Sequence, residues 1–153
     1  MIFSTKAEYG VRLMVALGRH SARDEPVPLG AVAEAENLPL SYLEQLVARL
    51  RKAGLVSSTR GAHGGYRLTR PPEEITMDEV VQALEGTLVP MECFTSEGIH
   101  NVSCSHESDG DRACATKLLW TRVQGGMHQA LRSTTLQDLV EFSDRPRSTV
   151  AAA

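Results

Sequence analysis

The sequence predicts a mainly α-helical fold that contains one short β-hairpin. Apolar residues recur at helical spacing in several stretches, and two β-prone runs flank a glycine-rich turn. Aromatic residues make up only 5% of the 153 residues, so the core must consist mainly of Leu, Val and Ala, a composition that suits helices. No apolar run approaches the roughly 20 residues that a membrane span requires.

The first helix is predicted to begin at Ser4 or Thr5 and to fade at His20. Thr5 and Glu8 have the spacing of a capping box, in which each side chain bonds a backbone amide at the helix start. An apolar stripe at helical spacing follows, made of Val11, Met14, Val15 and Gly18.

Two further helices are predicted on either side of a short turn at residues 37–39. The first covers residues 29–36. The second starts at Ser41, which forms a capping-box pattern with Glu44, and ends before Gly54. Its apolar stripe consists of Leu43, Leu46, Val47 and Leu50. Because its other face is polar and basic, the pair predicts a helix-turn-helix.

A β-hairpin is predicted directly after this helix pair. Residues 55–60 and 66–70 have strand composition, and residues 61–65 between them include three glycines. This order of elements predicts a winged helix that binds DNA. The residues predicted to contact DNA are Ser41, Tyr42, Glu44, Gln45, Arg60, His63 and Arg67.

The polar residues at the start of the second helix of the pair are placed where base edges are usually met. Glu44 is suited to accept a hydrogen bond from cytosine N4, and Gln45 to pair with adenine. Arg60 is expected to reach a phosphate or the minor groove, beside glycines that allow close backbone approach. The alternative for Arg60 is a solvated charge at the end of a strand.

Charge is distributed unevenly along the chain, although the net charge is only −3. Residues 1–70 carry ten Lys and Arg against six Asp and Glu, a balance of +4, whereas residues 71–153 balance at −7. A basic first half joined to an acidic second half favours a DNA-binding face that the overall charge conceals.

The second half is predicted to add three helices. Thr76 and Glu79 form a further capping-box pattern ahead of a short helix that Gly86 ends. A longer helix is expected over residues 115–133, and Thr135 caps a last helical turn. The apolar stripe of the longer helix consists of Leu119, Val123, Met127 and Leu131. The apolar surface of a helix outside a winged helix must be covered by another surface, so this stripe predicts a homodimer interface.

All three cysteines lie in residues 93–114, which show neither helical nor strand periodicity. Cys93, Cys104 and Cys114 have the spacing Cys-x10-Cys-x9-Cys, without the CxxC pair of a zinc ribbon. Thiolates suit iron–sulfur clusters, zinc or metal-free thiol chemistry. An odd number of cysteines does not fit a disulfide framework, and a cytoplasmic location is expected. The stretch is predicted to bind a metal, with an iron–sulfur cluster favoured.

Two stretches carry a family resemblance: LSYLEQLVARLRKAGLVSSTRGAHGGYRL at residues 40–68 and ITMDEVVQALEG at residues 75–86. They resemble the IscR/NsrR group of bacterial winged-helix regulators, the Rrf-two family, and the resemblance extends from Thr5 to Phe142. It implies a transcriptional regulator, expected to be a repressor, that responds to cluster supply, iron, redox state or nitric oxide. It also implies that the three cysteines bind a 2Fe-2S or 4Fe-4S cluster and that the long helix forms the dimer.

The chain departs from this family in its ligands. The cysteines are more widely spaced than is typical, and Lys117 stands where IscR-like members have a histidine. Because an ammonium group is a poor ligand, the fourth ligand is open. The candidates are Glu8 from the other subunit, as in NsrR-like members, then His106 and His100. Glu8 has an alternative role in the capping box with Thr5.

These observations divide the chain into four parts. A winged helix-turn-helix DNA-binding domain covers residues 1–86 and a cysteine-containing cluster-binding loop residues 87–114. A dimerisation helix and a short C-terminal helix cover residues 115–142, and a flexible tail covers residues 143–153. The expected partners are double-stranded operator DNA and a second copy of the chain, with no membrane and no small-molecule substrate. An enzyme is not expected, because no HExxH, GxSxG or phosphate loop occurs. A metal-free thiol redox sensor and a zinc-binding regulator remain as alternatives.

Overall fold

The computed structural model describes residues 4–21, 25–88 and 115–145, and this part of the chain is mainly helical, as predicted. The helices are α1 (Thr5–Arg19), α2 (Leu29–Glu36), α3 (Leu40–Lys52), α4 (Met77–Glu85), α5 (Ala115–Ser133) and α6 (Leu136–Ser143). The strands are β1 (Val56–Thr59) and β2 (Gly65–Leu68), and a 3-10 turn covers Pro72–Glu74. None of the described helices is long and apolar enough to cross a membrane.

The hairpin is antiparallel and is anchored to the helical core at its open end. Val56 pairs with Leu68 and Thr59 with Gly65. A short segment before α2 extends this sheet, because Val27 exchanges backbone hydrogen bonds of 2.8 and 2.9 Å with Tyr66. A Cβ atom at Gly65 would lie 2.5 Å from the Val27 carbonyl carbon, so this close pairing requires glycine.

The core lies between α1, α3, α4 and α6. Its fully buried members from these helices include Leu13, Met14, Leu43, Leu50, Leu84 and Leu136. The predicted stripe of α1 is half confirmed, because Met14 and Gly18 are buried. Val11 and Val15 are only half-buried, and the buried face also contains Gly10, Leu13 and Leu17. Gly10 faces the side chain of Leu84, so α1 and α4 approach closely where the sequence has no side chain.

The caps predicted for α4 and α6 are confirmed. Thr76 accepts from the Glu79 amide and Thr135 from the Asp138 amide, and both carboxylates bond back to complete a capping box. The two caps are adjacent in space, because the Met77 amide donates to the Thr134 carbonyl at 2.9 Å. This contact joins α6 to the core, where Leu136 and Val140 are buried.

The caps predicted for α1 and α3 are wrong. Ser4 is the N-cap of α1 and accepts from the Lys6 amide, so Thr5 is already helical and forms no box with Glu8. The carboxylate of Glu85 accepts from both the amide and the hydroxyl of Ser4, which holds Ser4 in the cap position. Helix α3 starts at Leu40 after Pro39, without a side-chain cap.

Candidate nucleic-acid interface

The turn between α2 and α3 is built by three residues with different functions. Asn37 adopts the left-handed conformation (φ 52°, ψ 50°) and ends α2. Leu38 is buried and holds the turn against the core. Pro39, with φ −63°, starts α3. The apolar stripe of α3 is buried as predicted, so its opposite face is turned to solvent.

Three of the residues predicted to meet base edges lie together at the start of α3. Ser41, Glu44 and Gln45 are all exposed. Within the described ranges, no hydrogen bond or ion pair engages their side chains. A row of exposed, unengaged polar groups on the first turns of a recognition helix is suited to direct readout in the major groove.

Tyr42 occupies a different position from these three residues. It is half-buried, and its ring packs edge-on against Tyr9 of α1 with centroids 5.8 Å apart at an angle of 87°. Its hydroxyl lies 3.4 Å from the hydroxyl of Thr5. The structure therefore gives Tyr42 a packing role between α3 and α1, which the sequence pattern did not indicate.

The predicted wing residues are all exposed, but they lie at different places on the hairpin. Arg60 directly follows β1, and His63 lies in the turn between the strands. Arg67 pairs across the hairpin with Ser57 and lines a cleft beside the end of α1. Arg60 and His63 thus lie at the tip of the wing, whereas Arg67 lies nearer its base.

Two basic residues on the last turn of α3 connect it to its neighbours. Arg49 donates to the Leu84 carbonyl of α4 at 3.2 Å. Arg51 reaches the Ser58 hydroxyl of β1 at 3.4 Å. The recognition helix is therefore tied both to the wing and to the last turn of α4.

The residues predicted to hold a metal are only partly covered by the structure. Cys93, Cys104, Cys114, His100 and His106 lie outside the described residues. Glu8 is described, is exposed in the first turn of α1, and takes no part in a cap or in any ion pair of the described residues. Lys117 is exposed on the first turn of α5. Residues 4–21, 25–88 and 115–145 contain no group of three side chains that would hold a metal by themselves.

A buried carboxylate connects α4 to α5, and sequence reasoning missed it. Asp78 is 4% exposed. Its Oδ1 lies 2.7 Å from Nδ1 of His128, and its Oδ2 accepts from Nε of Arg132 at 2.9 Å and from Gln82 at 2.9 Å. Burial acts to raise the pKa of Asp78, but the hydrogen bonds from Arg132, His128 and Gln82 outweigh it and the pKa lies below its ordinary value.

Comparison with known proteins agrees with this architecture. The family model for Rrf2, described as an iron-dependent transcriptional regulator, matches residues 3–142. The HTH-type transcriptional regulator CymR of Bacillus subtilis is 38% identical over 144 residues, which are 94% of this chain and 93% of CymR. The HTH-type transcriptional regulator IscR of Photorhabdus laumondii is 39% identical over 140 residues, 92% of this chain and 79% of the relative.

Solved structures show the same fold. The structure of CymR (YrzC), the global cysteine regulator of B. subtilis, superposes with a TM-score of 0.76 at 36% identity and covers 94% of this chain and 99% of that one. The structure of T. potens IscR gives a TM-score of 0.73 at 35% identity, over 100% and 93% of the two chains. These relatives are named as regulators, and none of them as an enzyme. The chain therefore belongs to the Rrf2 family of winged-helix, DNA-binding transcriptional regulators.

Proposed function

We propose that the chain is a homodimeric repressor whose affinity for operator DNA is controlled by an iron–sulfur cluster, of 2Fe-2S or 4Fe-4S type, held by Cys93, Cys104 and Cys114. The observation that carries this proposal is that all three thiols of the chain lie together in the segment that connects α4 to α5. The family description as iron-dependent and the similarity to IscR support it.

The donor set fits such a cluster. Thiolates are the usual protein ligands of these clusters, normally four of them, so the three cysteines require one further ligand. Glu8 of the partner subunit is our first candidate for it, because the cap formed by Ser4 leaves the Glu8 carboxylate exposed and unengaged among the described residues. His106 and His100 are the alternatives. When bound, the cluster supplies iron–thiolate bonds that oxygen, nitric oxide or iron shortage can break.

The homodimer is supported by the surface of α5. Leu118, Leu119 and Val123 are 58%, 56% and 46% exposed, respectively. None of the 19 residues of α5 is fully buried in its own chain. A contiguous exposed apolar face of this kind marks an interaction surface. A second copy of α5 would cover it, and a dimer would present two recognition helices to the two halves of a palindromic site.

DNA binding follows from residues of α3 and the wing. In the proposed complex, α3 enters the major groove, where Ser41, Glu44 and Gln45 meet base edges. Arg60 neutralises a phosphate or enters the minor groove. Binding of the cluster by residues 93–114 biases the position of α5, and so shifts the population of dimers whose recognition helices match the half-sites, about 34–36 Å apart.

A metal-free thiol sensor is the second candidate, and the similarity to CymR favours it, since CymR is described as the global cysteine regulator of B. subtilis. In this mechanism two of the three thiols are oxidised to a disulfide. The two electrons and two protons pass to a peroxide, which is reduced to water and an alcohol or to two waters. The three cysteines would then change DNA affinity without metal.

Analysis of protein purified without oxygen separates these candidates. The cluster predicts iron, acid-labile sulfide and visible absorption that are lost in Cys104→Ala and retained in the neighbouring control Ser103→Ala. Colourless protein with stoichiometric zinc would instead identify a zinc-binding regulator. Protein without metal, whose DNA affinity changes reversibly with peroxide and dithiothreitol, would identify the thiol sensor.

A further inference from the structure

Helix α5 is held to the winged helix by polar contacts and by the partly buried side chain of Leu131, which packs against the core. Although no residue of α5 is fully buried, two of its side chains converge on the buried carboxylate of Asp78 in α4. A third polar contact lies on the same side, where Gln124 donates to the Leu88 carbonyl at 2.9 Å. Helix α5 therefore meets its own domain through a few directional bonds and Leu131, while Leu118, Leu119 and Val123 remain exposed.

The Asp78 contact is the most restrictive of these bonds. Burying a carboxylate costs free energy unless hydrogen bonds satisfy it. Removing one partner of a buried ion pair destabilises a protein by more than the intact pair stabilises it, because the remaining charge is left unpaired. Both oxygens of Asp78 are engaged, one by His128 and the other by Arg132 and Gln82. His128 and Arg132 are one turn apart on α5, so the two bonds together fix the rotation and the height of α5 against α4.

From α4 the constraint continues to the recognition helix. Arg49 of α3 donates to the Leu84 carbonyl in the last turn of α4. Asp78 and Leu84 lie on one rigid helix of nine residues, and α4 also packs against α3 in the core. Because α3 and α4 are fixed to each other, the contact that orients α5 against α4 also orients α5 against α3.

We propose that Asp78, acting through His128 and Arg132, is a positioning residue for DNA binding that sets the separation of the two recognition helices in the dimer. The inference rests on the homodimer of the proposed function, and it holds whether the cysteines bind a cluster or act as thiols. Without this clamp, α5 still dimerises through its apolar face, but the winged helices take a range of orientations and no single half-site spacing is preferred.

The test uses the full chain and a palindromic duplex that wild-type protein selects from a random library. Derivatives of that duplex lengthen or shorten the centre by single base pairs, and fluorescence anisotropy measures the affinity for each. Arg132→Gln replaces a side chain that is 68% exposed, so it leaves no cavity. It should reduce the preference for the selected spacing roughly five- to tenfold, and leave affinity for a single half-site unchanged.

Asp78→Asn should have the same effect, and the double variant should lose no more than Asp78→Asn alone, because both residues act through one contact. The matched control is Arg19→Gln. It removes the same charge from α1, where Arg19 pairs with Asp144 at 3.4 Å. It should keep the wild-type spacing profile. Because the Arg132 side chain is exposed, Arg132→Gln is expected to fold, and it tests the proposed clamp even if Asp78→Asn does not fold.

Three outcomes would overturn the inference. The first is an unchanged spacing preference in folded, dimeric Arg132→Gln, which rejects the clamp alone. The second is an equal loss of affinity for every duplex, single half-sites included, which would make Arg132 a direct DNA contact. The third is a monomeric wild type in sedimentation with a flat spacing profile, which rejects the homodimer and the clamp together.

Discussion

The winged helix and helix α5 are stabilised in opposite ways. In the winged helix and α6, burial of aliphatic side chains such as Leu13, Leu43 and Leu136 builds a continuous core. Helix α5 contributes no fully buried residue to it, although Leu131 packs against it, and α5 is bonded to α4 through the carboxylate of Asp78. The DNA-reading part is thus packed within one chain, whereas α5 exposes the apolar face that the second copy of the proposed homodimer would cover.

The same difference makes the winged helix rigid and lets α5 change its position. A packed core has few alternative arrangements, because its side chains interdigitate at high density. A helix held by a few directional hydrogen bonds keeps one position while those bonds are made, and it can take other positions once they are broken. The segment with the three cysteines connects the two regions, since it follows α4 and precedes α5. A change in that segment is therefore expected to act on α5 rather than on the fold of the winged helix.

The largest effect is expected from a truncation in the core of the winged helix. Leu50→Ala removes a side chain that is fully buried. It should lower the free energy of unfolding by about 2–5 kcal/mol, because it leaves a cavity. Leu40→Ala on the same helix is the control, since Leu40 is 44% exposed, and should change stability by about 0.5 kcal/mol or less. Urea unfolding measures both, and equal losses would contradict the assigned faces of α3.

An apolar residue of α5 should behave in the opposite way. Leu119→Asp should leave the helical content of the protein unchanged but raise the dissociation constant of the dimer at least about tenfold, because it places a charge in an apolar interface. Thr121→Asp introduces the same charge at an exposed position about 200° away around the helix, and should dimerise normally. Sedimentation velocity over a concentration series measures both. A Leu119→Asp protein as dimeric as wild type would reject α5 as the interface.

Acid should weaken the attachment of α5 through Asp78. Its pKa lies below the ordinary 3.8, since its hydrogen bonds to Arg132, His128 and Gln82 outweigh the effect of burial. A lowered folded pKa stabilises the protein above the ordinary value, and this stabilisation is lost as the pH falls through the folded value. The free energy of unfolding should therefore fall more steeply below about pH 4 in wild type than in Asp78→Asn.

The control for this acid effect is Asp138→Asn. The pKa of Asp138 is also lowered, by hydrogen bonds from the amide and the hydroxyl of Thr135, but the carboxylate is fully exposed. Its replacement should change the slope less than Asp78→Asn does. Equal slopes in wild type and Asp78→Asn, measured by chemical unfolding between about pH 2 and pH 6, would show that the Asp78 contact does not stabilise the folded state.

Sequence reasoning succeeded where structure depends on neighbours along the chain. The hairpin, the buried stripe of α3 and the Thr76 and Thr135 caps were all predicted, because their determinants lie within a few residues. It failed where the partner is remote. Asp78 gave no signal, since His128 and Arg132 are 50 and 54 residues away. The cap of α1 was assigned to Thr5 instead of Ser4, because Glu85, which holds Ser4, lies 81 residues further on.

The cap at the start of α1 gives the smallest expected effect, and it separates a structural role of Glu8 from a role as a cluster ligand. Ser4→Ala removes the observed cap of α1 and should lower the free energy of unfolding by about 1 kcal/mol. Glu8→Ala removes an exposed carboxylate outside that cap, so thermal stability without metal should hardly change. If Glu8 is the fourth ligand, the variant should lose iron faster than wild type in air, whereas Ser4→Ala should not. Thermal destabilisation by Glu8→Ala with unchanged iron loss would return Glu8 to a structural role and leave His106 and His100 as the candidates.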